Sequence, residues 1–232
     1  MALLFDSVVV PVITVQNSDL RYPVRRIYCV GQNYRDHVKE MGGDPKLSPP
    51  VFFSKPADAV MPSGSCIAYP SATANLHYEV ELVVALKSGG SELDAHHALE
   101  CIYGYAVGID FTRRDLQSEA KEKGRPWDTA KGFDASAPLS PIKKADGGEP
   151  ADARIWLEVN GELRQDAKLS DMIWSVSEIL MQLSRYYALR AGDLIFTGTP
   201  AGVSSVVPGD RIQGGIEGVG EVAVELISGA GI

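Results

Sequence analysis

Two glutamates flank a single valine in His77-Tyr78-Glu79-Val80-Glu81, directly before the apolar run Leu82-Val83-Val84. In a strand, successive side chains alternate faces, so Glu79 and Glu81 share one face with Cβ atoms roughly 6.5–7 Å apart. Two carboxylates carried inward on one face repel each other and lose hydration. A hard divalent cation relieves both problems. Glu-x-Glu is common, and the tripeptide taken alone is better explained by two solvated glutamates on an edge strand. Asp110 tilts the balance: it ends the stretch Tyr103 to Ile109, just before a charged segment, where a third oxygen ligand would stand. A local cap on the Thr112 turn accounts for it equally well. Three carboxylates with water completing the shell suit Mg2+ or Mn2+ rather than zinc.

A base and several cations accompany the acids. His37 and Glu40 are three residues apart, which on a helix places them on one face. A carboxylate beside imidazole fixes its tautomer and raises its basicity, as general-base activation of water requires; a surface His–Glu pair is the plainer alternative. Arg114 and Gln117 repeat the three-residue spacing, and Lys131 follows within Thr129-Ala130-Lys131-Gly132-Phe133. Lys131 is of the type that meets developing negative charge. Lys55 in Phe53-Ser54-Lys55-Pro56 and the turn Thr197-Gly198-Thr199-Pro200 end two further strands, and glycine there permits close backbone approach to a ligand. Together these strand ends suggest an anion-binding mouth. His77 is placed to orient the acidic pair, whereas His96 and His97 lie among Ala and Leu and carry no catalytic expectation. No nucleotide-binding glycine fingerprint, P-loop or Gly-x-Ser-x-Gly elbow occurs.

Many short elements must position these residues. With 23 glycines and 14 prolines punctuating short apolar runs, a strand-rich fold is expected. Strands are predicted at 26–30, 51–54, 80–86, 102–109, 155–159, 162–165, 194–197 and 221–226, with Asn160-Gly161 turning one hairpin. Capping boxes predict helix starts at Ser91, Thr112 and Ser175, with Asp94, Asp115 and Glu178 three residues on. The second of these helices runs to Gly124 and, being strongly charged, is expected at the surface or over a cleft. A short fourth helix is expected over 34–41, and 145–153 reads as a loop.

The chain has 232 residues with net charge −8. An acidic surface disfavours nucleic acid and anionic membranes as partners. The longest apolar run, Val8 to Val15, is broken by Pro11 and falls short of the roughly 20 residues a spanning helix needs. The N-terminus lacks the basic stretch and cleavage site of a secretory signal. Cys29, Cys66 and Cys101 are too scattered for a disulfide framework, which fits a reducing cytoplasm. Each has apolar neighbours and is expected as a small buried hydrophobe. Residues 1–20 read as an N-terminal extension or small hairpin.

Taken in order, six segments resemble the fumarylacetoacetate hydrolase superfamily. They are 28–34, 53–56, 77–81, 104–110, 129–133 and 196–200, spread over about 26–226. The resemblance implies one catalytic domain over 21–232, α+β and mainly β: a mixed β-roll of the family's C-terminal domain type with few short helices. It implies Glu79, Glu81 and Asp110 as ligands of Mg2+ or Mn2+, and His37 with Glu40 as a water-activating dyad on a segment that acts as a lid. Arg114, Gln117, Lys131, Thr199 and Gly198 match groups around the substrate and its developing enolate, and Lys55 matches a lysine near the pocket. Gln32 departs from an arginine in many relatives, and Ser204-Ser205 from a Gly-Pro. Segments 124–138 and 160–174 look most like the family's bacterial fumarylpyruvate hydrolases, enzymes of gentisate-type aromatic catabolism; acylpyruvases and oxaloacetate decarboxylases share nearly all the motifs.

The implied reaction is metal-assisted carbon–carbon hydrolysis of a 2,4-dioxo acid by a homodimer, with pyruvate as one product. Decarboxylation of oxaloacetate on the same site is one rival. A ligand-binding β domain with ordinary surface acids is the rival of a different class.

Overall fold

The computed structural model describes residues 9–42, 49–146 and 148–229. In chain order, the first third holds β1 (Val12–Thr14), β2 (Arg21–Pro23), β3 (Arg26–Gly31), α1 (Arg35–Glu40), β4 (Val51–Lys55), β5 (Val60–Pro62), β6 (Ser65–Ala68) and β7 (Leu76–His77). Next come β8 (Val80–Leu86), α2 (Ala95–Glu100), β9 (Ile102–Ile109), β10 (Thr112–Arg113), α3 (Arg114–Glu122), α4 (Asp128–Lys131), β11 (Ala137–Leu139) and β12 (Lys143–Lys144). Last are β13 (Arg154–Val159), β14 (Glu162–Lys168), α5 (Val176–Ser184), β15 (Asp193–Phe196), β16 (Ser205–Val206), β17 (Arg211–Ile216) and β18 (Gly220–Ile227). The protein is mainly β, with short helices.

The central sheet is mixed, in the order β4-β3-β15-β8-β9-β11-β5, with β12 also on β9. A five-stranded sheet, β14-β13-β17-β18-β6, packs against it. β8 is buried on both faces along its whole length, which is why its sequence, Glu81 apart, is apolar at successive positions rather than alternating. Leu82, Val84 and Leu86 point into the core shared with Ile155, Leu157, Ile212, Val222 and α5. Val83 and Ala85 point the other way, into a second core with Ile27, Leu194, Phe196 and the β1–β2 hairpin. Burying each such aliphatic side chain is worth about 1.5–3 kcal/mol. The hairpin extends to Pro23, past the expected boundary at residue 20, and residues 1–8 of that segment lie outside the described residues.

Several local expectations are corrected. α2 is capped by Asp94, whose Oδ1 accepts from His97 N at 2.9 Å, three residues after Ser91. Thr112 does not cap α3; it pairs with His77 in a small sheet and its hydroxyl faces the interior. Ser175 does form a reciprocal capping box with Glu178. The strand β17 escapes sequence reading because Gly214-Gly215 resembles a turn. These glycines instead make room: a Cβ on Gly215 would lie 2.7 Å from the Trp156 ring. Cys66 is exposed, unlike Cys29 and Cys101. It alternates with buried Ile67 on β6, so pleat parity overrides its apolar neighbours. Among the described residues no helix is long and apolar enough to cross a membrane.

Candidate metal centre and active site

Glu79 precedes β8, Glu81 lies within it, and Asp110 follows β9; these two strands are antiparallel neighbours with Val80 opposite Ile109. Asp110 N donates to Glu79 O at 2.8 Å, closing the open end of the strand pair. All three acids share the parity of Val83, Ala85 and Ala106, so they project from the same face of the sheet. Gly108 keeps that face open, because a Cβ there would meet Phe196 and Val83 at 2.6 Å. One oxygen from each acid lies within 4.8 Å of the others, and all three residues are buried.

Cations converge on the acids from three other elements. Lys131, at the end of α4, donates from Nζ to Glu79 Oε2 (2.7 Å), Asp110 Oδ2 (2.7 Å) and Thr112 Oγ1 (2.6 Å). Lys55, at the end of β4, places Nζ 2.8 Å from Asp110 Oδ1 and donates to the carbonyls of Phe111 and Lys131. Arg114 donates to Glu79 Oε1 and, at 2.5 Å, to Gln117 Oε1. Burial by itself raises the Glu79 pKa, but Lys131 and Arg114 more than reverse it and hold the carboxyl well below its ordinary range. Burial opposes the charge on Lys131 too, yet Asp110 and Glu79 win and raise its pKa. Among the described residues Glu81 has no cation in contact and accepts only from Gly198 N, at 2.7 Å; burial, Asp110 and Glu79 push its pKa well up.

This donor set fits a divalent ion. Asp110 Oδ1 is buried without an aligned hydrogen-bond donor, Lys55 being close but off the bonding direction. Glu81 is a buried acid that meets no cation among the described residues, so ionising it calls for a positive partner. The enclosed space is about 20 Å³, room for one small ion or water. Oxygen-only ligands select Mg2+ or Mn2+. Larger hollows of about 460 and 490 Å³ lie beside α1 and on the outer face of the five-stranded sheet, and neither reaches the acids.

α1 places His37 over the same space, where His37, Thr199, Gln117 and Arg114 all line the wall. His37 Nδ1 pairs with Glu40 Oε2 at 3.0 Å, while Glu40 Oε1 accepts from Gly202 N at 3.0 Å. With Nδ1 so engaged, Nε2 is the ring atom left for the cavity. Thr199 Oγ1 accepts from Gln165 Nε2 at 2.9 Å, and Gln165 also accepts from Val80 N. His77 bonds Asn75 and lies 3.4 Å from Arg114 Nε; burial and Arg114 lower its pKa to about 4. His96 and His97 are exposed on α2. Gln32 is exposed at the rim with φ +63°, a conformation rare outside glycine, Asn and Asp. Ser204 and Ser205 lie outside the cavity wall.

Three positioning residues escaped the sequence reading. Gln165 is fully buried and ties β14 to β8 and to the turn carrying Thr199. Asn33 fixes the opposite side of that turn, donating to Thr197 O at 2.8 Å while accepting from Trp174 N. Thr112 seats Lys131. The only signal for Gln165 was an uncharged polar residue where β14 otherwise alternates charges; Asn33 and Thr112 look like ordinary turn residues.

Comparison with known proteins locates this arrangement. The family profile described as "Fumarylacetoacetate (FAA) hydrolase C-terminal" matches residues 26–227. Mitochondrial oxaloacetate tautomerase FAHD1 of Rattus norvegicus is 47% identical over 196 residues, 84% of this chain and 88% of that protein. Fumarylpyruvate hydrolase of Ralstonia sp. is 45% identical over 183 residues, 79% of this chain and 95% of that one. The crystal structure of fumarylpyruvate hydrolase from Pseudomonas aeruginosa, in complex with Mn2+ and pyruvate, superposes with a TM-score of 0.95 at 49% identity. That match covers 98% of this chain and all of the other.

Proposed function

The chain belongs to the fumarylacetoacetate hydrolase family, and from that premise we propose that it is a Mg2+- or Mn2+-dependent hydrolase cleaving a carbon–carbon bond of a 2,4-dioxo acid. Fumarylpyruvate is the substrate favoured, giving fumarate and pyruvate. The observation that carries this is the buried acidic triad beneath a His–Glu pair, in a chain 49% identical to an enzyme solved with Mn2+ and pyruvate.

Glu79, Glu81 and Asp110 hold the ion. Bound there, it supplies Lewis acidity toward the 2-oxo acid end of the substrate. Glu40 fixes His37 with Nε2 toward the cavity, and His37 takes the proton of a water that adds to C4. Lys131, kept protonated by its acids, and Gln117 face the oxyanion this creates. The C3–C4 bond then breaks, its electron pair leaving with the three-carbon fragment as pyruvate enolate. Protonation of that enolate gives pyruvate. Arg114 and Thr199 shape the substrate's seat, Gly198 borders it with its N–H spent on Glu81, and Lys55 holds Asp110 and the α4 end in place. A space of about 20 Å³ admits no dioxo acid, so α1 must lift for entry and return with His37. The same reading takes the protein as a cytoplasmic homodimer of gentisate-type aromatic catabolism.

His37→Asn tests the assignment. Isothermal titration should show Mn2+ binding within about threefold of wild type, while kcat falls by roughly 10²–10⁴. Normal turnover by the variant would remove His37 from the reaction. A second reading, keto–enol or decarboxylation chemistry on oxaloacetate, draws support from the 47% identity to the tautomerase. Its decarboxylation branch needs neither an activated water nor a base, so the same variant would then still decarboxylate oxaloacetate.

A further inference from the structure

Nearly every charge at the site has an opposite number. Glu79 and Asp110 are matched by Lys55, Arg114 and Lys131, and Glu40 is hydrogen-bonded to His37 and to Gly202 N. At the rim, Glu119 is shared by Lys123 and Arg125, and Asp36 by Lys39. Lys121 is different. Arg114, Gln117 and Lys121 fall at i, i+3 and i+7 on α3, one stripe of the helix, and all three line the cavity. Among the described residues, no acid pairs with Lys121. Its ammonium stands 5.1 Å from the Trp127 ring centroid, although the residue as a whole is exposed. Burial of the ammonium and the charge of Arg114 lower its pKa, the mark of a cation that lacks its counter-ion.

The wall between Lys121 and the acids is aromatic, running from Trp127 to Phe53, whose ring centroid lies 5.0 Å from the Lys131 ammonium. Phe53 and Trp127 pack at 5.7 Å between centroids with their planes tilted by 55°, and Gly31 lies against the Trp127 ring. A ligand following this wall has its oxo-acid head at the carboxylates, a planar apolar middle, and an anion at its far end. Building on the hydrolase reading, we propose that Lys121 is the specificity-determining residue that receives the distal carboxylate of a dianionic, unsaturated dioxo acid.

Lys121→Met and Lys121→Arg, loaded with Mn2+, are assayed on fumarylpyruvate, which has a distal carboxylate, and on acetylpyruvate, which ends in a methyl group. A charge-assisted contact predicts that Lys121→Met lowers the ratio of kcat/KM between them roughly 10–100-fold, mostly through KM. Lys121→Arg should keep most of the ratio. Added salt should erode the ratio of the wild type and not that of Lys121→Met. An unchanged ratio in Lys121→Met, or equal losses on both substrates, overturns the role of Lys121 while wild-type turnover leaves the hydrolase reading standing. A wild-type protein inert toward both substrates overturns the hydrolase reading and this inference together.

Discussion

Glu81 is a buried carboxyl whose chemistry departs from the ordinary. Its folded pKa is raised by burial, Asp110 and Glu79. Such a group contributes stability that is present below the unfolded value and is lost as pH rises through the folded one. Ion-free wild type minus ion-free Glu81→Gln should therefore show a stability difference that turns against wild type as pH climbs above about 4.5. Thermal melts across pH 4–8 read it, and parallel curves would refute it. With Mn2+ at about a hundred times its Kd, wild type should gain about 2.7 kcal/mol, roughly 5–10 °C. Glu81→Gln should gain almost nothing. Both acids of the Glu-x-Glu pair were visible in the sequence, but the opposite directions in which the fold moves their pKa values were not. They depend on Lys131 and Arg114 reaching Glu79 alone, from segments 35 and more residues away.

Turns decide whether the strands deliver these side chains. Gly198 has φ +101°, and a Cβ there would stand 2.7 Å from that of Asn33, while its N–H anchors Glu81. Gly198→Ala should cost about 1–3 kcal/mol and weaken Mn2+ binding, because the anchor of a ligand shifts. Gly209→Ala is the control: φ is +98°, but nothing lies within 4 Å. Denaturant melts and Mn2+ titrations of both would separate crowding from backbone strain; equal behaviour would count against the account. Elements with strong local signatures were legible. β8 and β9 are long apolar runs that match their expected bounds, and Ser175 starts α5. Two- and three-residue strands such as β7, β10 and β16 were not, since they exist only through partners distant in sequence. The caps of α2 and α3 were misplaced because Ser91 and Thr112 carry the right chemistry one turn or less from the true start.

At the scale of the molecule, the sheet edges are treated unequally. β14 carries the exposed charges Glu162, Arg164, Asp166 and Lys168 along its free edge, and a register shift at Arg164 interrupts its pairing with β13 beside buried Gln165. Alternating charge discourages edge-to-edge pairing. β4 bears Val51, Phe52 and Phe53 at the rim of the other sheet, and its one charge, Lys55, is turned inside. Sedimentation equilibrium should return twice the 25.0 kDa chain mass; a monomer mass would remove the dimer from the proposed function. The β-roll itself was legible only through resemblance, because strand order across a sheet leaves no mark on composition or periodicity.

The triad comes from the mouth of one strand pair, β8 and β9, whereas His37, Lys131 and Thr199 arrive on separate stretches of chain. Gripping an ion and choosing what happens beside it are thus entrusted to different parts of the polypeptide. Drift in α1, α4 or the 197–202 turn can redirect catalysis without loosening the anchor. A scaffold divided in this way lends itself to acquiring new reactions by changing its periphery.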